Sequence, residues 1–182
     1  MTSPAVTSPK RRPRHTLLLA RHAKSKWGLE VDDHDRPLSG RGRRDGVALG
    51  QFLAGNGYRP DLVLSSTATR ARQTWQRAVL GGAVAGEVRY DDRIYEAWAG
   101  ALAKLVRRLP DETGTALLIG HSPGIAELVR LLAGRRGPES AWTRLEAKYP
   151  TSGLAVLHTD ADWAGLEPGA AVLVDFVVPR GT

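Results

Sequence analysis

Short apolar runs alternate along the chain with segments whose apolar residues recur at helical spacing. The runs are Thr16–Ala20, Leu62–Leu64, Ala116–Ile119, Leu154–Leu157 and Ala171–Val178, with a weaker one at Val88–Tyr90; each has the length and composition of a strand. Between them lie Leu49, Phe52 and Leu53, then Ala71, Trp75, Ala78 and Val79, then Leu102, Leu105, Val106 and Leu109, then Ile125, Leu128, Val129 and Leu132. Spacings of three and four residues line one face of a helix, so four helices are predicted. Strand and helix alternate through residue 133, which implies parallel pairing through right-handed crossovers. The two late strands have no helix between them and predict an antiparallel edge. The expected fold is a three-layer α/β/α sandwich around a mostly parallel sheet.

A length of 182 residues, 42% of them hydrophobic, suits one core rather than two. No run approaches the roughly 18 apolar residues that a membrane span requires, so no membrane partner is expected. The chain has no cysteine, which excludes disulfides, thiolate metal sites and a cysteine nucleophile and agrees with a reducing cytoplasm, where the protein is expected. The net charge of +7 is uneven. Residues 1–14 hold Lys10, Arg11, Arg12 and Arg14 and no acid; four of the 26 basic residues fall there, leaving 22 against 19 acidic ones. A body that near balance does not call for a nucleic-acid partner. Residues 1–14, rich in Ser, Thr, Pro and basic side chains, read as a disordered arm, and Leu17–Leu19 is too short for the apolar stretch of a signal peptide. A single domain is expected over residues 15–182.

Ligands of open α/β sheets gather at the carboxyl ends of the strands. Arg21-His22-Ala23-Lys24-Ser25 follows the first run, Ser65-Ser66-Thr67-Ala68-Thr69-Arg70 closes the second and opens a helix, and Gly120-His121-Ser122-Pro123-Gly124 follows the third. Two histidines and at least two arginines are thereby directed to one edge. Like charges gathered in a partly dry pocket repel unless an anion neutralises them. A phosphoryl group fits: the guanidinium fork matches its oxygens, and helices starting after Ser66 and Pro123 aim free N–H groups at the same edge. Ser39 and Ser66 read as helix caps, with Ser66 also close enough to line the pocket. Trp27 and Lys24 either shape the mouth of the site or pack and solvate. Asp32, Asp33, His34 and Asp35 read as a solvated loop rather than a metal site, and Arg72 as structural.

Taken together, Arg21-His22-Ala23-Lys24-Ser25 with Trp27, then Asp35-Arg36-Pro37-Leu38 and Gly42, resemble the histidine phosphatase, or phosphoglycerate mutase-like, superfamily and within it the SixA-like phosphohistidine phosphatases. The resemblance runs from about Leu17 to Leu157. It implies that His22 is the nucleophile and forms a phosphohistidine intermediate, that Arg21, Arg70 and His121 hold the phosphoryl oxygens, and that neither metal nor cofactor is needed. Some branches place an aspartate after the second histidine; here that position is Ser122. Others use a glutamate after the third strand, which nominates Glu96 as general acid, the bland alternative being an acid that caps the helix near Trp98.

The function expected is a metal-independent phosphatase acting on phosphohistidine in proteins. The alternatives are the same chemistry on a small phosphomonoester and a non-catalytic phosphate-binding interaction module. A mutase is disfavoured, because a short chain offers few segments to enclose an intermediate. The missing aspartate beside His121 leans toward a P–N substrate, whose imidazole leaves neutral after protonation on its far nitrogen, whereas an alkoxide needs a proton delivered to it.

Overall fold

Alternation along the central strand sets the layering. In the computed structural model, which describes residues 14–182, β1 (His15–Arg21) sends Leu17 and Leu19 to one face of the sheet and Leu18 and Ala20 to the other. Leu62, Leu64 and Leu118 join the first face and Val63, Leu117 and Ile119 the second, from β2 (Leu62–Ser66) and β4 (Thr115–Gly120). Both faces are covered, which is why these strands read as continuous apolar runs. Helices α1 (Gly40–Gly55) and α2 (Thr69–Leu80) cover one face through Leu49, Leu53, Trp75 and Ala78. The other is covered by α3 (Ala99–Val106), α4 (Gly124–Ala133) and α5 (Glu139–Ala147) through Leu102, Leu128, Leu132 and Trp142.

With β3 (Glu87–Asp91), β5 (Leu154–Thr159) and β6 (Ala171–Val177), the sheet has six strands in the order β3-β2-β4-β1-β5-β6. The pairs β1–β4, β2–β4 and β2–β3 are parallel, while β5 runs antiparallel to β1 and to β6. The expected α/β/α sandwich with an antiparallel edge is the fold observed. The register Arg21↔Gly120 and Ser65↔Ile119 levels the carboxyl ends of β1, β2 and β4, so whatever follows those strands meets at one edge.

Ser39 caps α1, its Oγ accepting from Gly42 N at 3.1 Å. Three details depart from expectation. Helix α5 has no counterpart in the predicted set. Leu109 lies beyond the end of α3, buried in a turn before Pro110, where a helix cannot readily continue. Val79, predicted on the apolar face of α2, is exposed. Of the arm expected over residues 1–14, all but the last lie outside the described residues. Arg14 is held to the body by ion pairs with Asp162 and Asp111. Among the described residues no helix is long and apolar enough to cross a membrane.

Candidate active site

His22 is the first residue after β1, and its backbone N–H continues the ladder to Gly120 O at 3.0 Å. The imidazole Nδ1 donates to the carbonyl of Ala23 at 2.7 Å. A carbonyl only accepts, so the proton lies on Nδ1 and Nε2 carries a lone pair. Arg70, in the first turn of α2, donates Nε to that nitrogen at 3.3 Å and Nη2 to His121 Nδ1 at 3.4 Å. His121, the first residue after β4, uses Nε2 to donate to Ser66 Oγ at 2.8 Å. The two imidazole centroids are 5.0 Å apart. Ser66, expected to cap a helix, does not: α2 begins at Thr69 behind Ala68, and the Ser66 hydroxyl orients His121 while accepting from Ala68 N.

All three side chains are more than nine-tenths buried, and burial governs their charge. It holds His22 at about 3, with His121, Arg70 and Arg21 adding to the effect against the opposing hydrogen bond to Ala23. His121 is held at about 4 by burial and then by Arg70. Both imidazoles are neutral near pH 7 because they are buried beside cationic side chains. Arg21 lines the same cavity; its Nη donates to Tyr149 O at 3.0 Å, and its buried Nε has no partner among the described residues. Burial and then Arg70 push the Arg21 pKa down. An unpartnered cationic donor next to a second guanidinium and two neutral imidazoles makes a site short of negative charge.

Arg21 and His22 are supported by a segment outside the three strand-end junctions, Tyr149–Gly153. Tyr149 O holds Arg21, and Ser152 N donates to the carbonyls of Arg21 and His22, each at 3.2 Å. Arg21 N donates to Gly153 O at 2.9 Å. Tyr149–Gly153 is therefore the clamp on the β5 side. Opposite it, buried Thr74 accepts from Ala23 N at 2.9 Å and donates to Arg70 O at 2.7 Å, indexing the His22 turn to α2.

The acidic stretch Asp32–Asp35 is solvated as expected, with Asp32, Asp33 and Asp35 exposed, but Asp33 has a second role in that it folds back over the site. Its Oδ2 accepts from Arg70 Nη2 at 2.9 Å and from Tyr95 Oη at 2.8 Å, and its Oδ1 accepts from Arg36 at 2.7–2.8 Å. These three donors hold its carboxyl down at about 2 despite partial burial. Tyr95 in turn sets its ring edge-on to His121, centroids 5.4 Å apart. Asp33 thus grips Arg70 through Nη1, on its main-chain carbonyl, and through Nη2, which it shares with His121, while Nε faces His22.

The histidine phosphatase superfamily (branch 1) family model matches residues 17–166. The chain belongs to this superfamily. It is 42% identical over 161 residues to the uncharacterised protein Rv1276c of Mycobacterium tuberculosis, covering 88% of this chain and 99% of that one. Among solved structures it is similar to the proposed phosphohistidine phosphatase SixA from Nakamurella multipartitia, with 35% identity, TM-score 0.79 and coverage of 91% and 96% of the two chains. It is also similar to the corresponding protein from Agrobacterium tumefaciens, with 30% identity, TM-score 0.76 and coverage of 91% and 98%.

In this member of the superfamily the cavity around His22 has a volume of about 540 Å³. Glu96 and Ser122 line it and are exposed. Glu96 takes a left-handed backbone, φ 51°, a conformation that costs a non-glycine residue about 1 kcal/mol or more. It makes no hydrogen bond to the start of α3, so the capping alternative has no support in the contacts. Its loop is pressed onto the second histidine's helix: a Cβ at Gly124 would lie 1.9 Å from the carbonyl of Ala97, so only glycine allows α4 to start there.

Proposed function

We propose that the protein is a metal-independent phosphatase that works through phosphohistidine at His22 and hydrolyses phosphohistidine in proteins. The observation that carries this reading is the His22 Nε2 lone pair, kept unprotonated by burial and set beside Arg21, Arg70 and His121. A buried imidazole in this state is a nucleophile ready at neutral pH, and the surrounding donors match the charge on the equatorial phosphoryl oxygens.

In the first step Nε2 bonds to phosphorus as the bond from phosphorus to the leaving group breaks. The Nδ1–H bond to Ala23 O stabilises the positive charge that develops on the ring. The incoming dianion raises the proton affinity of His121, which takes up a proton from solvent at Nδ1 and donates it in a hydrogen bond to a phosphoryl oxygen while Ser66 keeps Nε2. An alkoxide leaving group takes a proton from the Glu96 carboxyl, which becomes a carboxylate. An imidazole leaving group instead departs neutral, with a proton on its far nitrogen, and does not draw on Glu96, which enters that reaction as the carboxylate. In the second step the Glu96 carboxylate takes a proton from water, the water oxygen bonds to phosphorus, and the P–N bond breaks to restore the Nε2 lone pair. Arg21, Arg70 and His121 supply the cationic cradle from the chain itself, which is the basis for needing no metal. The likeness to the two SixA proteins favours a protein-borne P–N substrate over a small phosphoester.

The test is to capture the intermediate and then vary the leaving group. Brief reaction with labelled substrate should leave acid-labile, base-stable phosphate on the chain, mapped to His22. Its absence, or its presence on another residue, sinks the mechanism. Glu96→Gln should slow an alkyl phosphomonoester by roughly 10²–10⁴-fold and phosphohistidine much less. Equal losses on both substrates would remove Glu96 from the acid role.

A further inference from the structure

The cavity has a second wall whose construction the phosphoryl chemistry does not require. Trp27 lines it, opposite in composition to the cradle, and is 72% exposed. A scattered exposed tryptophan needs no explanation, but this one is held in place. The Arg36 guanidinium lies 3.7 Å from the centroid of its ring. Arg36 itself is buried, with Nε and one Nη on Asp33 Oδ1 and the other Nη on Ser25 Oγ at 2.9 Å. Ser25 is buried too, and its strand-like bridge to Leu38 closes the base of the loop. A planar cation fixed by three hydrogen bonds fixes the plane of the indole stacked on it. Apart from that contact the indole keeps most of its surface free, and it lines the cavity that contains His22.

We infer that this free surface of Trp27 is a leaving-group subsite for a flat ring bonded to phosphorus, the imidazole of phosphohistidine or an aryl group. The inference rests on the phosphatase reading for its orientation: with the phosphoryl group at His22, the remainder of the substrate extends into the same cavity. Among the described residues lining that cavity, Trp27 is the only aromatic side chain apart from the two imidazoles. A ring stacked on it exchanges two wet apolar faces for one contact, whereas a saturated chain makes only edge contacts with the same surface. Asp33 joins the two halves, since the carboxylate that grips Arg70 also pins the arginine under Trp27. The phosphoryl cradle and the ring platform are thus held in register by one side chain.

The experiment compares phenylphosphonate, whose ring is bonded directly to phosphorus, with methylphosphonate by calorimetric titration of the full chain. The wild type should bind the phenyl compound about tenfold more tightly, the lower end of what one aromatic stacking contact contributes. Trp27→Ala and Trp27→Leu should bring the two affinities within about twofold of each other, and Trp27→Phe should keep most of the preference. Circular dichroism melting confirms that each variant is folded; the leucine and phenylalanine variants separate a flat contact from a merely apolar one. Equal affinities in the wild type, no binding of either compound, or an undiminished preference in Trp27→Ala and Trp27→Leu overturns the subsite. A wild type that prefers the phenyl compound yet turns over neither phenyl phosphate nor phosphohistidine overturns the catalytic reading and leaves the subsite standing.

Discussion

Two buried histidines bracket the same strand. His15 opens β1 and His22 follows its last residue, and each fixes its tautomer by donating Nδ1 to a backbone carbonyl, His15 to Thr113 at 3.0 Å and His22 to Ala23 at 2.7 Å. Their surroundings are opposite in sign. A ring nitrogen of His15 lies within 4.8 Å of carboxylate oxygens of Asp111 and Asp162, and its ring stacks against Trp163 with centroids 4.5 Å apart. Both acids are already paired with Arg14. His22 instead faces Arg70, Arg21 and His121 with no acid in direct contact. Burial and tautomer are alike at the two ends, so neither alone separates them. Under the proposed mechanism the difference is the cationic neighbours of His22, which add to burial in keeping its lone pair free.

The sharpest way to break the comparison is to remove each imidazole. His22→Ala should reduce turnover by at least about 10⁴-fold while thermal melting shows a folded protein. His15→Ala should leave turnover within about twofold but cost about 2 kcal/mol in chemical denaturation, through the lost hydrogen bond and ring packing. A catalytic loss for His15→Ala comparable with that for His22→Ala would erase the distinction. The arginines come next. Arg70→Ala should lower kcat/KM about 10²–10³-fold by removing transition-state charge stabilisation, and Arg14→Ala should leave it within about twofold; similar effects of the two would mean that the cradle is assigned to the wrong end of the sheet.

The smallest effect is on the pH dependence of stability. An unfolded imidazole takes up its proton near 6.5, whereas in the fold His22 stays neutral to about 3 and His121 to about 4. Between those values the unfolded chain binds more protons, so stability falls as pH drops from about 6.5 toward 4. The melting temperature should decline through this window, less steeply in His22→Asn and less steeply with saturating inorganic phosphate, whose charge lets the site hold protons. A decline that neither change alters would place the acid sensitivity elsewhere.

Periodicity made the layers legible because each strand face and helix stripe must be buried, and burial leaves a mark at spacings of two or three to four. Helix α5 left little mark: of its nine residues only Ala141, Trp142 and Leu145 are buried, too few to repeat. Arg21, which ends its strand, and His22 and His121, which directly follow theirs, were legible as site candidates because topology alone brings strand ends together. Residues reaching the site from elsewhere were not. A serine ahead of a helix looks the same whether it caps that helix or holds an imidazole, which is how Ser66 was misread. Asp33 sits among acids in a loop, and only the fold of that loop over Arg70 separates it from Asp32 and Asp35. Tyr149–Gly153 acts mainly through main-chain groups, which side-chain identity does not advertise.

The contact between Gly124 and the carbonyl of Ala97 sets how this chain tolerates drift. Position 124 is the first of a helix that six other buried residues anchor, so a methyl there is absorbed by the softer partner, the loop carrying Glu96. A lineage that gains an alanine at this position would keep its fold, its histidines and its arginines while Glu96 moves away from them. With Glu96 in its proposed acid role, loss of alkyl phosphoester chemistry along that line of descent would precede any loss of recognisable ancestry.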